Sequence, residues 1–130
     1  MSEKRFRVLS LDGGGAKGFY TLGILREIEA MIGCPLHERF DLIFGTSTGS
    51  IITAMLALGK SVREIIALYQ DHVPTVMKNK RPDGRSRALA ELSTTIFGDA
   101  VFTDVKTSVG IVTTKWVLAK PMIFKTHVGQ

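Results

Sequence analysis

Phe40-Asp41-Leu42-Ile43-Phe44-Gly45-Thr46-Ser47-Thr48-Gly49 is the stretch that decides how this chain is read. A short apolar run ends in Gly-x-Ser-x-Gly, and a small-and-apolar run from Gly49 to Leu58 follows. Strand, sharp turn carrying a serine, then helix is the sequence form of a nucleophile elbow, which pushes the hydroxyl out at the end of a sheet. Gly45 and Gly49 leave room where strand and helix crowd each other. Thr46 and Thr48 are small enough not to cover Ser47. The Gly49–Leu58 helix has almost no polar face, so burial is expected, with Gly59 ending it.

Upstream, Phe6 to Leu11 alternates and then turns apolar, as a strand entering a buried sheet does. It runs into Asp12-Gly13-Gly14-Gly15-Ala16-Lys17-Gly18. Phe19, Leu22, Ile24, Leu25, Ile28 and Met31 then recur at helical spacing up to a stop at Gly33. Cys34 to Arg39 reads as a connecting loop, and Phe40 to Phe44 as a strand covered on both faces. Downstream, Ser61-Val62-Arg63-Glu64 is a capping box, opening a helix through Tyr69. A polar loop follows, with Pro82-Asp83-Gly84 as a turn signal, and Ala88 to Phe97 as a short helix. Val109 to Leu118 is strand-like, Ala119-Lys120-Pro121 a turn, and Met122 to Thr126 a paired strand. Strands alternating with helices give an α/β fold in one domain.

A chain of 130 residues, 45% hydrophobic, suits one folded domain and excludes wholesale disorder. The single cysteine, Cys34, has no internal disulfide partner, so a reducing, cytoplasmic setting is the simpler expectation. The net charge is +5, and Lys78, Lys80, Arg81, Arg85 and Arg87 lie close together. This run carries no interleaved aromatics and no nucleic-acid module, so no nucleic-acid partner is expected. A charged amino terminus leading into a strand is not a secretory leader. No apolar run reaches the length a spanning helix needs, so any membrane contact would be peripheral.

Gly13-x-Gly15-x-x-Gly18 matches a dinucleotide fingerprint on paper, but the second strand ends in Gly45-Thr46-Ser47 where a ribose-binding acid would stand. A P-loop would need Lys-Ser/Thr after Gly18, which is followed by Phe19. The alternative is mechanistic. Attack by Ser47 on an ester builds negative charge on the carbonyl oxygen, and backbone N–H groups of Gly13, Gly14 and Gly15 could stabilise it. A helix start behind them adds a favourable dipole, and Lys17 adds positive charge nearby.

Together, Asp12-Gly13-Gly14-Gly15-Ala16-Lys17-Gly18 and Gly45-Thr46-Ser47-Thr48-Gly49 resemble the two motifs of the patatin-like phospholipases. Val109 to Thr113 and Pro121 to Phe124 are similar to that family's later paired strands. The resemblance implies a three-layer α/β/α lipid acyl hydrolase that cleaves phospholipid or related lipid esters with a Ser–Asp dyad. It gives Ser47 the nucleophile position and Gly13, Gly14 and Gly15 the oxyanion-hole position. No metal or organic cofactor is expected. The family's aspartate lies in an Asp-Gly-Gly or Asp-Gly-Ala motif well beyond the later strands, and no such motif follows those strands within residues 1 to 130. Asp83-Gly84-Arg85 is the nearest imitation and reads as a turn. His37 and His127 read as loop or strand-end residues, and His72 as helical. The chain therefore reads as the N-terminal portion of a single such domain, truncated before its last strands. The rival expectation is a catalytically incomplete fragment that only binds lipid or a partner.

Overall fold

The computed structural model describes residues 3 to 126, so His127 lies outside the described residues. Among the described residues the chain forms one four-stranded sheet in the order β1-β2-β3-β4. The strands are β1 (Val8–Leu11), β2 (Leu42–Thr46), β3 (Ser108–Lys115) and β4 (Lys120–Lys125). The first three are parallel and β4 returns antiparallel to β3. The helices are α1 (Gly18–Ile32), α2 (Leu36–Arg39), α3 (Thr48–Ala57), α4 (Val62–Lys78) and α5 (Pro82–Phe97). The fold is α/β, as the alternation of elements anticipates.

Strand order here follows chain order, so each right-handed crossover steps the same way and lays its helices on the same face. One apolar core results, joining Leu11 and Ile43 of the sheet to Leu22 and Leu25 of α1, Ile52, Met55 and Leu56 of α3, and Ile65 and Tyr69 of α4. Residues of the opposite pleat, Val8, Leu42, Phe44 and Val112, contribute no buried side chain. The described residues thus supply two of the three layers expected. The bare pleat is where a further helical layer would pack.

Several boundaries differ from the sequence reading. The Cys34–Arg39 loop contains the one-turn helix α2, which buries Leu36 completely and makes His37 helical. Helix α4 runs nine residues past Tyr69 to Lys78, with Pro74 inside it. Pro82-Asp83-Gly84 is not a turn but the first turn of α5, with Pro82 at the position where a missing N–H costs nothing. The break between β3 and β4 comes earlier than expected: Trp116–Leu118 form a 3-10 turn, Ala119 takes φ 47°, and Pro121 sits inside β4. An edge strand tolerates that proline.

Direction along the sheet fixes where things lie. Helix α3 descends from Ser47 at the carboxyl end of β2. At the opposite end, both oxygens of the Glu29 carboxylate, near the end of α1, accept the Val62 N–H at 3.1 and 3.4 Å. Helix α4 therefore starts where α1 ends and climbs back antiparallel to it. The Ser61 hydroxyl accepts the Glu64 N–H at 3.2 Å, and the Glu64 carboxylate accepts the Ser61 N–H at 2.7 Å. The Ser61 N–H, then the Ser61 hydroxyl, hold the Glu64 carboxyl below its usual range. Ser61→Ala is expected to cost about 1 kcal/mol in urea unfolding.

Tyr69 is where α4 meets the start of α1. Its ring stacks edge-on against Phe19 at 5.4 Å. The hydroxyl is buried, bonds to no described residue, and its pKa is pushed up to about 12 by that burial. The folded state therefore holds this proton more tightly than the unfolded chain, where tyrosine titrates near 10. Stability from this group is complete below pH 10 and is lost as pH rises toward 12. A two-unit shift corresponds to roughly 2 to 3 kcal/mol. Tyr69→Phe should remove that alkaline loss. The check is the difference in urea midpoints between wild type and variant from pH 9 to 11.5.

Candidate active site

Ser47 stands between the last residue of β2 and the first of α3 with φ 53° and ψ −124°. A non-glycine residue in that region is strained by roughly 1 to 3 kcal/mol and persists only where its surroundings hold it. Three features hold it here. The Ser50 N–H donates to the Ser47 carbonyl at 2.9 Å. The Ser50 hydroxyl donates to the Gly45 carbonyl at 2.8 Å, pinning the first turn of α3 to the end of β2. Two glycines allow the close crossing that the sequence suggested. A methyl on Gly45 would collide with the Gly49 carbonyl and the Thr53 hydroxyl, and one on Gly49 would stand 2.7 Å from the Asp12 carbonyl oxygen. The Ser47 side chain is left exposed, and Thr46 is exposed beside it.

The glycine loop lies directly against this elbow. A methyl on Gly13 would stand 2.8 Å from Ser47 Cβ, 3.1 Å from the Thr46 carbonyl oxygen and 3.5 Å from Ser47 Oγ. Gly14 turns the chain with φ 144°, a conformation that excludes ordinary side chains. The N–H groups of Gly13 and Gly14 donate to no described residue. Gly15 differs from the grouping expected: its N–H donates to Thr48 Oγ1 at 3.0 Å, so it is already engaged. Thr48 also touches the loop with its methyl, which would lie 3.1 Å from a Cβ on Gly18. The buried Gly18 backs onto Tyr69, leaving no room for a side chain. Thr48 thus braces the loop to the elbow with both branches of its side chain, a role its place in the motif did not reveal.

Asp12 is exposed at the carboxyl end of β1, and its carbonyl faces Gly49. Lys17 is exposed, with its aliphatic stem against Gly14 and its N–H donating to the Gly14 carbonyl at 3.1 Å. Both motifs therefore meet at one point, at the carboxyl ends of adjacent strands, where open α/β sheets place their ligands. Ser47 Oγ has no hydrogen-bond partner among the described residues. His72 lies on α4 and Asp83 in the first turn of α5, and neither bonds to Ser47. His37 Nδ1 is buried on α2 with no partner among the described residues, on the stretch leading into the opposite end of β2. Among the described residues no cluster of His, Cys, Asp or Glu is arranged to hold a metal ion. An apolar cavity of about 280 Å³ opens between α3, α5 and β3, lined by Ala54, Leu58, Phe97, Val109 and Ile111 among others. No helix among the described residues is long and apolar enough to cross a membrane.

Comparison with known proteins bears on this geometry. The patatin-like phospholipase family model matches residues 9–127. A cUMP-AMP-activated phospholipase from Escherichia coli is 59% identical over 124 residues, which cover 95% of this chain and 39% of that protein. A cGAMP-activated phospholipase from Vibrio cholerae is 32% identical, over 95% of this chain and 42% of that protein. A patatin-like protein from Oryza sativa subsp. indica is 33% identical, over 95% of this chain and 36% of that protein. The chain thus spans about two fifths of the length of these relatives. A family model that covers nearly the whole chain, on a sheet whose adjoining strand ends bring the two motifs together, makes this chain a member of the patatin-like phospholipase family.

Proposed function

We propose that the full-length protein is a phospholipid acyl hydrolase with Ser47 as its nucleophile. The observation that carries this reading is the strained Ser47 backbone, φ 53°, with the glycine loop packed against it. Ser47 Oγ attacks the acyl carbonyl carbon, and its proton passes to a base. The tetrahedral oxyanion takes hydrogen bonds from the N–H groups of Gly13 and Gly14, which donate to no described residue. Collapse expels the lysolipid alkoxide, which takes up a proton, and leaves an acyl ester on Ser47. Water then attacks that ester, releasing fatty acid and restoring the serine. The family resemblance assigns the base to an aspartate in an Asp-Gly-Gly or Asp-Gly-Ala motif beyond the later strands; within residues 1 to 130 the sole Asp-Gly-Gly is Asp12-Gly13-Gly14, which belongs to the glycine loop. The apolar cavity beside α3 has the chemistry to take acyl methylenes.

The relative at 59% identity is named for activation by cUMP-AMP. We extend that to the full-length protein: its hydrolysis is switched on by a cyclic dinucleotide. The test is fatty acid release from phospholipid vesicles by the full-length protein with and without cUMP-AMP. Release should rise at least about 10-fold with the dinucleotide, the lower range of a typical allosteric coupling. No release under either condition contradicts the hydrolase reading. Equal release under both contradicts only the switch.

A further inference from the structure

We propose that the carboxyl end of the sheet, around Ser47, is a membrane-docking face that seats the protein on an anionic bilayer. This rests on the reading of Ser47 as the nucleophile of a lipid hydrolase.

Two features project beyond Ser47 on that side. The first is the turn between β3 and β4. Thr46 pairs with Val112, so β3 continues three residues further, roughly 10 Å at strand rise, before the turn begins. At its tip Trp116 is 91% exposed, Val117 87% and Leu118 54%. Lys115 precedes this apolar tip, and Lys120 follows it. An aromatic ring with two aliphatic neighbours between lysines matches the headgroup boundary of a bilayer, where Trp settles and cations meet lipid phosphate.

The second is the corner between α4 and α5. Tyr69 lies level with Gly18 at the glycine loop, and α4 climbs nine residues past it, about 13 Å at helical rise. Lys78, Lys80, Arg81, Arg85 and Arg87 are all exposed there, with Asp83 the carboxylate among them and Asp71 and Glu91 exposed further down the two helices. Arg85 Nε donates to the Asn79 carbonyl at 2.6 Å, which leaves the other four cations without a described partner. Met77 beside them is 52% exposed. These exposed side chains lie on the end of α4, the start of α5 and the link between them. That charge suits an anionic surface, to which each juxtamembrane cation adds attraction. Both features extend beyond the end of the sheet that carries Ser47, so a membrane contact through them brings Ser47 to its substrate.

The experiment uses the full-length protein, with cUMP-AMP present in every assay. Two variants are compared with wild type: W116S/V117S at the tip, and K78Q/K80Q/R81Q/R87Q at the corner. Co-sedimentation uses vesicles of phosphatidylcholine alone and with 30% phosphatidylserine, and turnover is measured on those vesicles and on a water-soluble short-chain ester. Wild type should favour the anionic vesicles. The corner variant should lose that preference, binding at least about 10-fold more weakly, since each Lys or Arg near the surface contributes separately. The tip variant should bind both vesicle types more weakly. Soluble-ester turnover should stay within about twofold in both, which also shows that they are folded. Vesicle binding and turnover unchanged in both variants overturn the docking face, as does a tip variant that loses soluble-ester turnover or aggregates, because the tip is then packed against the remainder of the chain. Wild type that binds vesicles but cleaves neither substrate defeats the hydrolase reading and leaves the docking result standing separately.

Discussion

Ser47→Ala in the full-length protein should abolish phospholipid turnover, lowering kcat by roughly ten thousand- to a million-fold, the range found when a serine nucleophile is deleted. The substitution removes one oxygen. Ser47 is exposed, and its hydroxyl bonds to no described residue, so the fold loses no contact with it. Alanine has the same Cβ and meets the same backbone strain at φ 53°. Stability should therefore change by less than about 0.5 kcal/mol. Lost turnover with an unchanged urea midpoint is the expected pair of results. A Ser47→Ala protein that retains a tenth of wild-type turnover is not compatible with Ser47 as nucleophile.

The second large effect is expected at Gly13. Its missing side chain is a steric requirement, because a methyl would press on Ser47 Cβ at 2.8 Å and on the Thr46 carbonyl at 3.1 Å. Neither atom belongs to a flexible chain end. Either the loop retreats, carrying its N–H groups away from the developing oxyanion, or Ser47 is displaced. Losing one oxyanion donor costs on the order of 100- to 1000-fold in kcat, and Gly13→Ala should fall in that range. Gly15→Ala is the matched control. Its N–H already serves Thr48, and a methyl there meets no atom within 4 Å, so only the φ 58° conformation opposes it. That variant should lose about 1 kcal/mol of stability and less than tenfold in kcat. Steady-state turnover of the two variants on one ester makes the comparison, and equal losses would mean that the loop acts only as a structural support.

Much of this arrangement was legible in the sequence because the elbow demands particular residues. Two glycines flank a serine at the spacing of a nucleophile elbow, and the structure puts Gly45 and Gly49 where strand and helix cross. The capping box at Ser61 was equally legible, since both of its hydrogen bonds are local. What escaped was decided by contacts from far along the chain or by signals with two meanings. Helix α2 is one turn long, too short to display a period, and exists because Leu36 is drawn into the core. Pro82 and Asp83 favour a helix start as strongly as a turn, and Gly84 tips a sequence reading toward the turn. Thr48 looked like a small spacer. Its bond to the Gly15 N–H spans 33 residues and has no local signature. That one bond distinguishes the glycines of the loop: Gly15 is tied to the elbow, while the N–H groups of Gly13 and Gly14 donate to no described residue.

Covalent labelling probes Ser47 itself, because it needs no known substrate, only an open site. The full-length protein, with and without cUMP-AMP, is treated with a fluorophosphonate probe, and the modified peptide is sequenced by mass spectrometry. One adduct is expected, on Ser47, absent from Ser47→Ala and appearing in step with the loss of turnover. An adduct on another residue, or labelling that persists undiminished in Ser47→Ala, would contradict it.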